Sequence, residues 1–171
     1  PGLDMTGGSL GNGISIGGGM ALAARLDGRG YRVFVMVGDG EMQEGMIWEA
    51  LQAGAKLRLG NLCAIVDKNR LQVDGPVAEI MPIDPLPDKL RDFGWQVTEI
   101  DGHDMAQVVQ ALKAAYNAPA EGQPRIIVAH TVKGKGVSFM ENEVVWHGRA
   151  PNDEECRQAL RELGEGGECR G

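Results

Sequence analysis

The chain has 171 residues, a formal net charge of −7 and 43% hydrophobic residues, which suits one globular domain with a single core. The acidic balance, without basic runs interleaved with aromatic residues, argues against a nucleic-acid surface. No apolar stretch reaches membrane-spanning length, and no signal segment opens the chain. The three cysteines have neither metal nor disulfide spacing, so we expect a reducing, cytoplasmic setting.

Taken in chain order, the apolar patterns predict helices that alternate with strands, which is typical of an α/β fold with a doubly wound parallel sheet flanked by helices. The predicted helices are 11–26, 43–57, 88–93, 105–116 and 153–163, and the predicted strands are 32–37, 62–67, 96–100 and 125–130. A proline-punctuated loop is predicted over 76–87. We expect one domain over 1–163, incomplete at its N-terminus, and a flexible tail over 164–171.

Two of the predicted strands are followed by side chains suited to a hard cation. Gly38-Asp39-Gly40 follows the first strand, and Asn69 follows the second. Because the carboxyl ends of parallel strands meet at one edge of a sheet, we expect Asp39 and Asn69 to lie close together. Mg²⁺ takes oxygen ligands, often one or two carboxylates with phosphate oxygens, and the backbone carbonyl of Leu71 is a third candidate ligand. The pattern predicts a magnesium site that carries a diphosphate.

The two glycines support the same interpretation. Gly38 and Gly40 let the chain turn sharply after the strand and bring backbone N–H groups against phosphates. The helix that is predicted to begin at Gln43 would point its positive N-terminal end at the anion. By itself, Gly-Asp-Gly is more often an ordinary strand-to-turn connection. The amide of Asn69 at matching depth after the second strand favours the cofactor site.

Four ordered segments resemble the cofactor-binding core of transketolase. The segments are 6–13 (TGGSLGNG), 38–50 (with GDGEMQEG and WEA), 66–75 (VDKNRLQVDG) and 130–148 (with HTVKGKG and WHG). The resemblance runs from about Met5 to Pro151. It departs from the family at Gly8-Ser9, where Gly-Pro is frequent. Related dehydrogenase subunits that share Gly-Asp-Gly usually continue from the asparagine into Tyr-Gly, which is absent here.

The resemblance implies thiamine diphosphate as the cofactor and Mg²⁺ as its metal, for which Ca²⁺ or Mn²⁺ can substitute. It implies that Asp39, Asn69 and the Leu71 carbonyl are the metal ligands. Gly38 and Gly40 are then expected at the diphosphate.

The resemblance also implies roles outside the metal site. Ser9 and Leu10 are expected near the thiazolium or pyrimidine rings. His147 is expected to face the diphosphate and the entering sugar as a hydrogen-bond donor or proton carrier. Glu44 and Glu49 are expected in an acidic network that joins two cofactor sites across an interface between copies of the chain, so Glu44 is counted with the catalytic and cofactor-binding residues. As a pair on a helix, they could equally form a solvated face.

The other two histidines have structural explanations. His103 precedes Asp104, which has the character of an N-cap for the following helix, so we expect a structural role. His130 ends a strand and is expected to be a satisfied core histidine.

The resemblance implies transfer of a two-carbon ketol unit from a ketose phosphate to an aldose phosphate. In this family the glutamate that activates the cofactor belongs to a separate pyrimidine-binding domain. We therefore expect the diphosphate-binding half of a split transketolase, with a partner subunit that carries the C-terminal half, in a homodimer or heterotetramer. The alternatives are a subunit of another thiamine diphosphate enzyme, such as a 1-deoxyxylulose-5-phosphate synthase, and a non-catalytic degenerate subunit.

Overall fold

The structure is a computed structural model that describes residues 2–164, so the tail predicted over 164–171 lies outside the described residues except for Gly164. The helices are α1 (Asn12–Leu26), α2 (Gly45–Lys56), α3 (Val77–Ile80), α4 (Leu86–Asp92), α5 (Met105–Tyr116) and α6 (Asp153–Glu162). The strands are β1 (Val33–Gly38), β2 (Leu62–Lys68), β3 (Leu71–Gln72), β4 (Gly75–Pro76), β5 (Gln96–Asp101) and β6 (Arg125–His130). Short 3₁₀ helices cover Gly40–Gln43 and Val144–His147.

Four strands form one parallel sheet in the order β1-β2-β6-β5, which confirms the predicted α/β class. The register pairs Gly38 with Asp67, and Lys68 with His130. The carboxyl ends of β1, β2 and β6 therefore lie side by side at one edge. Strands β3 and β4 form a separate antiparallel hairpin just beyond that edge.

Helices cover the two faces of the sheet unequally. The larger core lies on the face of α1, α2 and α4 and includes Ile14, Leu51 and Leu90, all fully buried. A smaller cluster packs α5 against β5 and β6. Glycine allows α1 to approach β1 closely, because a Cβ at Gly17 would lie 2.3 Å from Cγ2 of Val35.

Several element boundaries differ from the sequence prediction. A 3₁₀ turn occupies Gly40–Gln43, so α2 begins at Gly45 and not at residue 43. The predicted loop 76–87 contains α3, and α4 begins at Leu86, where Pro87 is tolerated in the first helical turn.

The cysteines differ from expectation in one respect. Cys63 is a buried free thiol, and burial raises its pKa to about 12, which suits a small core residue. Cys156 on α6 is disulfide-bonded, so the prediction that the cysteines lack disulfide partners is wrong. Within residues 2–164, the helices are all too short or too polar to cross a bilayer.

Candidate functional site

The carboxylate of Asp39 joins the turns that follow β1 and β2. Asp39 is almost completely buried, with 1% of its surface exposed. One of its oxygens accepts a hydrogen bond from the Gly40 N–H at 2.9 Å, and the other accepts one from the Arg70 N–H at 2.7 Å. Because Arg70 directly follows Asn69, the two residues predicted as ligands lie at the same edge of the sheet.

The electrostatic surroundings of Asp39 favour a bound cation. Burial is the main cause that raises the pKa of Asp39, the charge of Asp67 raises it further, and the backbone hydrogen bonds oppose the shift. The charge of Lys68 lowers the pKa of this carboxyl slightly, but the ammonium group of Lys68 bonds Asp84 Oδ1 at 2.5 Å. Asp39 takes no part in the ion pairs of the described residues, so a divalent cation would supply the missing positive charge.

A hydrogen-bond chain fixes the amide group of Asn69. Its Nδ2 donates to Asp67 Oδ2 at 3.0 Å, and its Oδ1 accepts from the Leu71 N–H at 3.0 Å. The hydroxyl of Thr131 donates to the other oxygen of Asp67. Asp67 and Thr131 are not among the residues predicted from the sequence. Their position at the carboxyl ends of strands β2 and β6 is the signal that points to them.

The oxygen atoms at this edge fit Mg²⁺. Each carboxylate oxygen of Asp39 and the Oδ1 of Asn69 retains a lone pair beyond its backbone hydrogen bond. A cluster of three or more His, Cys, Asp or Glu side chains suited to a metal is absent from residues 2–164. Mg²⁺ usually takes only one or two carboxylates and completes its shell with phosphate oxygens and water. The donor set therefore suits a magnesium ion that carries a diphosphate.

The glycines beside Asp39 have different surroundings. A Cβ at Gly40 would lie 3.0 Å from the Cβ of Gln72, so the turn packs tightly against the β3–β4 hairpin. A Cβ at Gly38 would meet nothing within 4 Å, so packing within the described residues does not require a glycine there. A 3₁₀ turn over Gly40–Gln43 separates Asp39 from α2, which begins at Gly45 and not at Gln43.

The loop before α1 is held against the end of β1. Ser9 and Leu10 are exposed in the turn that leads into α1, and Leu10 is 61% exposed. Next to them, the Gly11 N–H donates to Glu41 Oε1 at 2.8 Å, and the Gly38 N–H donates to Glu41 Oε2 at 3.2 Å. Glu41 lies within the Gly-Asp-Gly motif segment, but the sequence pattern alone gives this residue no role.

His147 ends the 3₁₀ helix that packs against β3, the strand containing Leu71. It is exposed. Neighbouring aromatic contacts fix its segment: the Trp146 indole N–H donates to the Phe139 carbonyl at 2.9 Å, and the Arg149 guanidinium lies 4.5 Å from the Trp146 ring. The segment that contains His147 therefore lies beside the strand of a predicted metal ligand, and the role of His147 stays a prediction.

The acidic pair expected at an interface lies on the surface of this chain. Glu44 directly precedes α2, Glu49 lies within it, and neither is buried. In contrast, hydrogen bonds bring the three predicted metal ligands together. The turn that contains Asn69 and Leu71 is bonded through the Arg70 N–H to Asp39.

Of the other two histidines, His103 has the expected structural role, whereas His130 is more exposed than expected. His103 Nε2 accepts a hydrogen bond from the Val132 N–H at 2.8 Å, while Asp104 caps α5. His130 bonds Glu99 at 3.2 Å and is 36% exposed at its side chain, so it is a satisfied histidine but not a core one.

Comparison with known protein families gives one match over nearly the whole chain. Residues 1–168 match the family described as "Transketolase, thiamine diphosphate binding domain".

Two curated relatives are named as transketolase subunits. The chain is 41% identical over 165 residues to an apulose-4-phosphate transketolase subunit from Phocaeicola vulgatus, covering 96% of this chain and 58% of that protein. It is 44% identical over 162 residues to the 6-deoxy-6-sulfo-D-fructose transketolase subunit SqwG of a Clostridium species, covering 95% and 58%. The chain thus spans little more than half the length of these relatives.

Solved structures agree with the sequence matches. The transketolase of Campylobacter jejuni superimposes with a TM-score of 0.87 at 26% identity, over 96% of this chain and 26% of that one. The transketolase of Leishmania mexicana gives a TM-score of 0.83 at 29% identity, again over 96% and 26%.

Proposed function

This chain belongs to the transketolase family as a thiamine diphosphate-binding domain, and on that premise we propose that it binds magnesium and the diphosphate of the cofactor through Asp39, Asn69 and the Leu71 carbonyl. The observation that carries the proposal is the hydrogen bond from the Arg70 N–H to the buried carboxylate of Asp39. It joins the two turns in which the proposed ligands stand. Ca²⁺ and Mn²⁺ are expected to replace Mg²⁺, because both accept the same oxygen ligands.

Each residue then has a physical task. Asp39 neutralises part of the diphosphate charge through the metal, and Asn69 and Leu71 add neutral oxygen ligands. Gly38 leaves open space beside the turn for the phosphate groups, and Gly40 lets the same turn pack against the β3–β4 hairpin. Bound thiamine diphosphate supplies the carbon nucleophile for breaking and forming carbon–carbon bonds. His147, exposed at the end of the 3₁₀ helix that contacts β3, donates a hydrogen bond to an anionic group or carries a proton to the sugar.

The proposed reaction is transfer of a two-carbon ketol unit from a ketose phosphate to an aldose phosphate. The activating glutamate and the pyrimidine pocket would come from a partner subunit that carries the C-terminal half of the enzyme. The names of the two split relatives support this arrangement, because each of those proteins is a transketolase subunit. Glu44 and Glu49 are both exposed, so they are available to a second copy in a homodimer or heterotetramer. A cytoplasmic location belongs to the proposal, because charged sugar phosphates cross bilayers poorly.

Calorimetric titration of the complete natural assembly with thiamine diphosphate tests the binding proposal. We expect saturable binding that requires Mg²⁺ and is restored by Ca²⁺ or Mn²⁺ after chelation. Absence of metal-dependent binding would support the alternative of a degenerate subunit. Product analysis with ketose phosphates as donors, and separately with pyruvate and glyceraldehyde phosphate, tests the reaction. Condensation of pyruvate without ketol transfer would support the synthase alternative instead.

A further inference from the structure

Glu41 bridges two parts of the chain that both border the proposed cofactor site. Its Oε1 accepts the Gly11 N–H at 2.8 Å, and its Oε2 accepts the Gly38 N–H at 3.2 Å. Gly38 ends β1 immediately before Asp39. Gly11 follows Leu10 and is the N-cap residue directly before α1. One half-buried carboxylate thus connects the turn with the metal ligand to the turn with the residues expected at the cofactor rings.

The backbone at Gly11 is tightly constrained by its conformation and by its neighbours. Gly11 adopts a left-handed conformation with φ of 87°. A Cβ at Gly11 would lie 2.7 Å from Cγ of Met46 and 2.9 Å from Cβ of Glu44. The loop is therefore pressed against the start of α2, and the carboxylate of Glu41 holds it there from the other side.

The charge of Glu41 suits this task better than a neutral side chain would. Hydrogen bonds from backbone N–H groups to a carboxylate are stronger than those between neutral groups. A negative charge at the start of α1 is also stabilised by the helix dipole. A glutamine can accept only one of the two hydrogen bonds with its carbonyl oxygen, and its NH₂ group would oppose the other donor.

We propose that Glu41 is a positioning residue that holds residues 7–10 against the Asp39 turn, so that Leu10 is placed for the cofactor rings. This inference rests on the proposed function for its cofactor. The predicted consequence of losing Glu41 is limited to the loop expected at the cofactor rings, residues 7–10. This loop should move, while the metal and diphosphate ligands should stay in place.

The test compares Glu41→Gln and Glu41→Ala with the wild type in the complete natural assembly. Glu121→Gln is the matched control, because this glutamate is 79% exposed at its side chain and its carboxylate lies 3.9 Å from the Arg25 guanidinium. The first measurement is hydrogen–deuterium exchange in peptides covering 6–13, without cofactor. The second is the dissociation constant, in Mg²⁺, of thiamine diphosphate and of inorganic diphosphate, measured well below the unfolding temperature.

We expect Glu41→Ala to accelerate exchange at residues 6–13 and to weaken thiamine diphosphate binding about tenfold, the loss of one charge-assisted hydrogen bond. Binding of inorganic diphosphate, which has no rings, should weaken less than about threefold on the same scale. Glu41→Gln should show a smaller effect in the same direction, and it preserves the side-chain shape if the alanine variant fails to fold. A purely structural role would lower the unfolding temperature and leave the ratio of the two dissociation constants unchanged.

The outcomes separate this inference from the proposed function. A wild type that binds no thiamine diphosphate refutes the proposed function, while the exchange measurement still decides whether Glu41 holds the loop. A wild type that binds the cofactor, with variants that exchange and bind as the wild type does, overturns the role of Glu41. Equal weakening of thiamine diphosphate and inorganic diphosphate also overturns it, because Glu41 would then act on the metal turn alone.

Discussion

Replacement of Asp39 by asparagine should separate the stability of the fold from the stability added by the cofactor. The substitution keeps the shape of the side chain and removes its charge. Burial raises the pKa of Asp39, so the folded protein disfavours the ionised form and gains from losing it. Against this gain, asparagine can accept only one of the two N–H groups, from Gly40 and Arg70, at a cost of about 1–2 kcal/mol. The two effects oppose each other, so the ligand-free unfolding temperature should change little.

The cofactor-bound protein should respond differently. A ligand at about one hundred times its dissociation constant adds about 2.7 kcal/mol of stability. Loss of the charged metal ligand costs about 3 kcal/mol of binding, comparable to removing one partner of a buried ion pair, and this weakens binding about 150-fold. At the same ligand concentration, Asp39→Asn then gains only about 0.3 kcal/mol. About 2.4 kcal/mol of ligand-induced stability should be lost, or roughly 5–10 °C for a protein of this size.

Differential scanning calorimetry with and without Mg²⁺ and thiamine diphosphate measures both quantities on one sample. Asp92→Asn is the matched control, because Asp92 is an exposed aspartate at the end of α4. It should keep the full ligand-induced shift. If Asp39→Asn kept the shift of the wild type, Asp39 would not be a metal ligand and the site would be assigned wrongly.

Three further predictions concern other parts of the chain. His147→Ala should lower turnover about a hundredfold while the fold and Mg²⁺-dependent binding persist; an unchanged turnover would mean that His147 is a surface residue with no role in the reaction. Gly17→Ala should lower the free energy of unfolding by about 1–3 kcal/mol in urea titration, because its Cβ would overlap Val35, and a neutral result would mean that α1 shifts at no cost. The Lys68 hydrogen bond lowers the pKa of Asp84, so Asp84 stabilises the fold above the ordinary aspartate pKa of about 3.9, and this stability is lost as the pH falls through the lower folded-state pKa. Asp84→Asn should therefore cost about 1 kcal/mol at pH 7, since the aspartate is largely exposed, and progressively less as the pH falls through that folded-state pKa; a cost that does not change with pH would exclude the ion pair as its source.

The strands and the central pair of the site could be predicted because their signals are local. Strands β1, β2 and β6 are continuous apolar runs, as buried parallel strands require, and each was predicted to within two residues at either end. The rule that ligands collect at the carboxyl edge of a parallel sheet then placed Asp39 beside Asn69 without any knowledge of strand order.

The remainder of the site depends on contacts that sequence patterns do not encode. Thr131 reaches Asp67 only because β6 is inserted between β2 and β5 in the sheet, and no periodicity reveals which strands are neighbours. Glu41 bonds Gly11 across a separation of 30 residues, and its spacing on a short 3₁₀ turn has no helical or strand period. The β3–β4 hairpin has two residues in each strand, which is too short for alternation to predict.

The two sides of the proposed site differ in how completely this chain prepares them. Asp39 is buried and held by two backbone hydrogen bonds, so its position is set before any ligand arrives. Leu10 and His147, which we place at the rings and at the sugar, are exposed. Binding of a metal and a diphosphate needs only fixed oxygen ligands, whereas carbon–carbon chemistry needs a site from which water is excluded. Binding and turnover should therefore depend on different surfaces: the diphosphate on the carboxyl edge of this sheet, and the reaction on whatever protein surface covers Leu10 and His147.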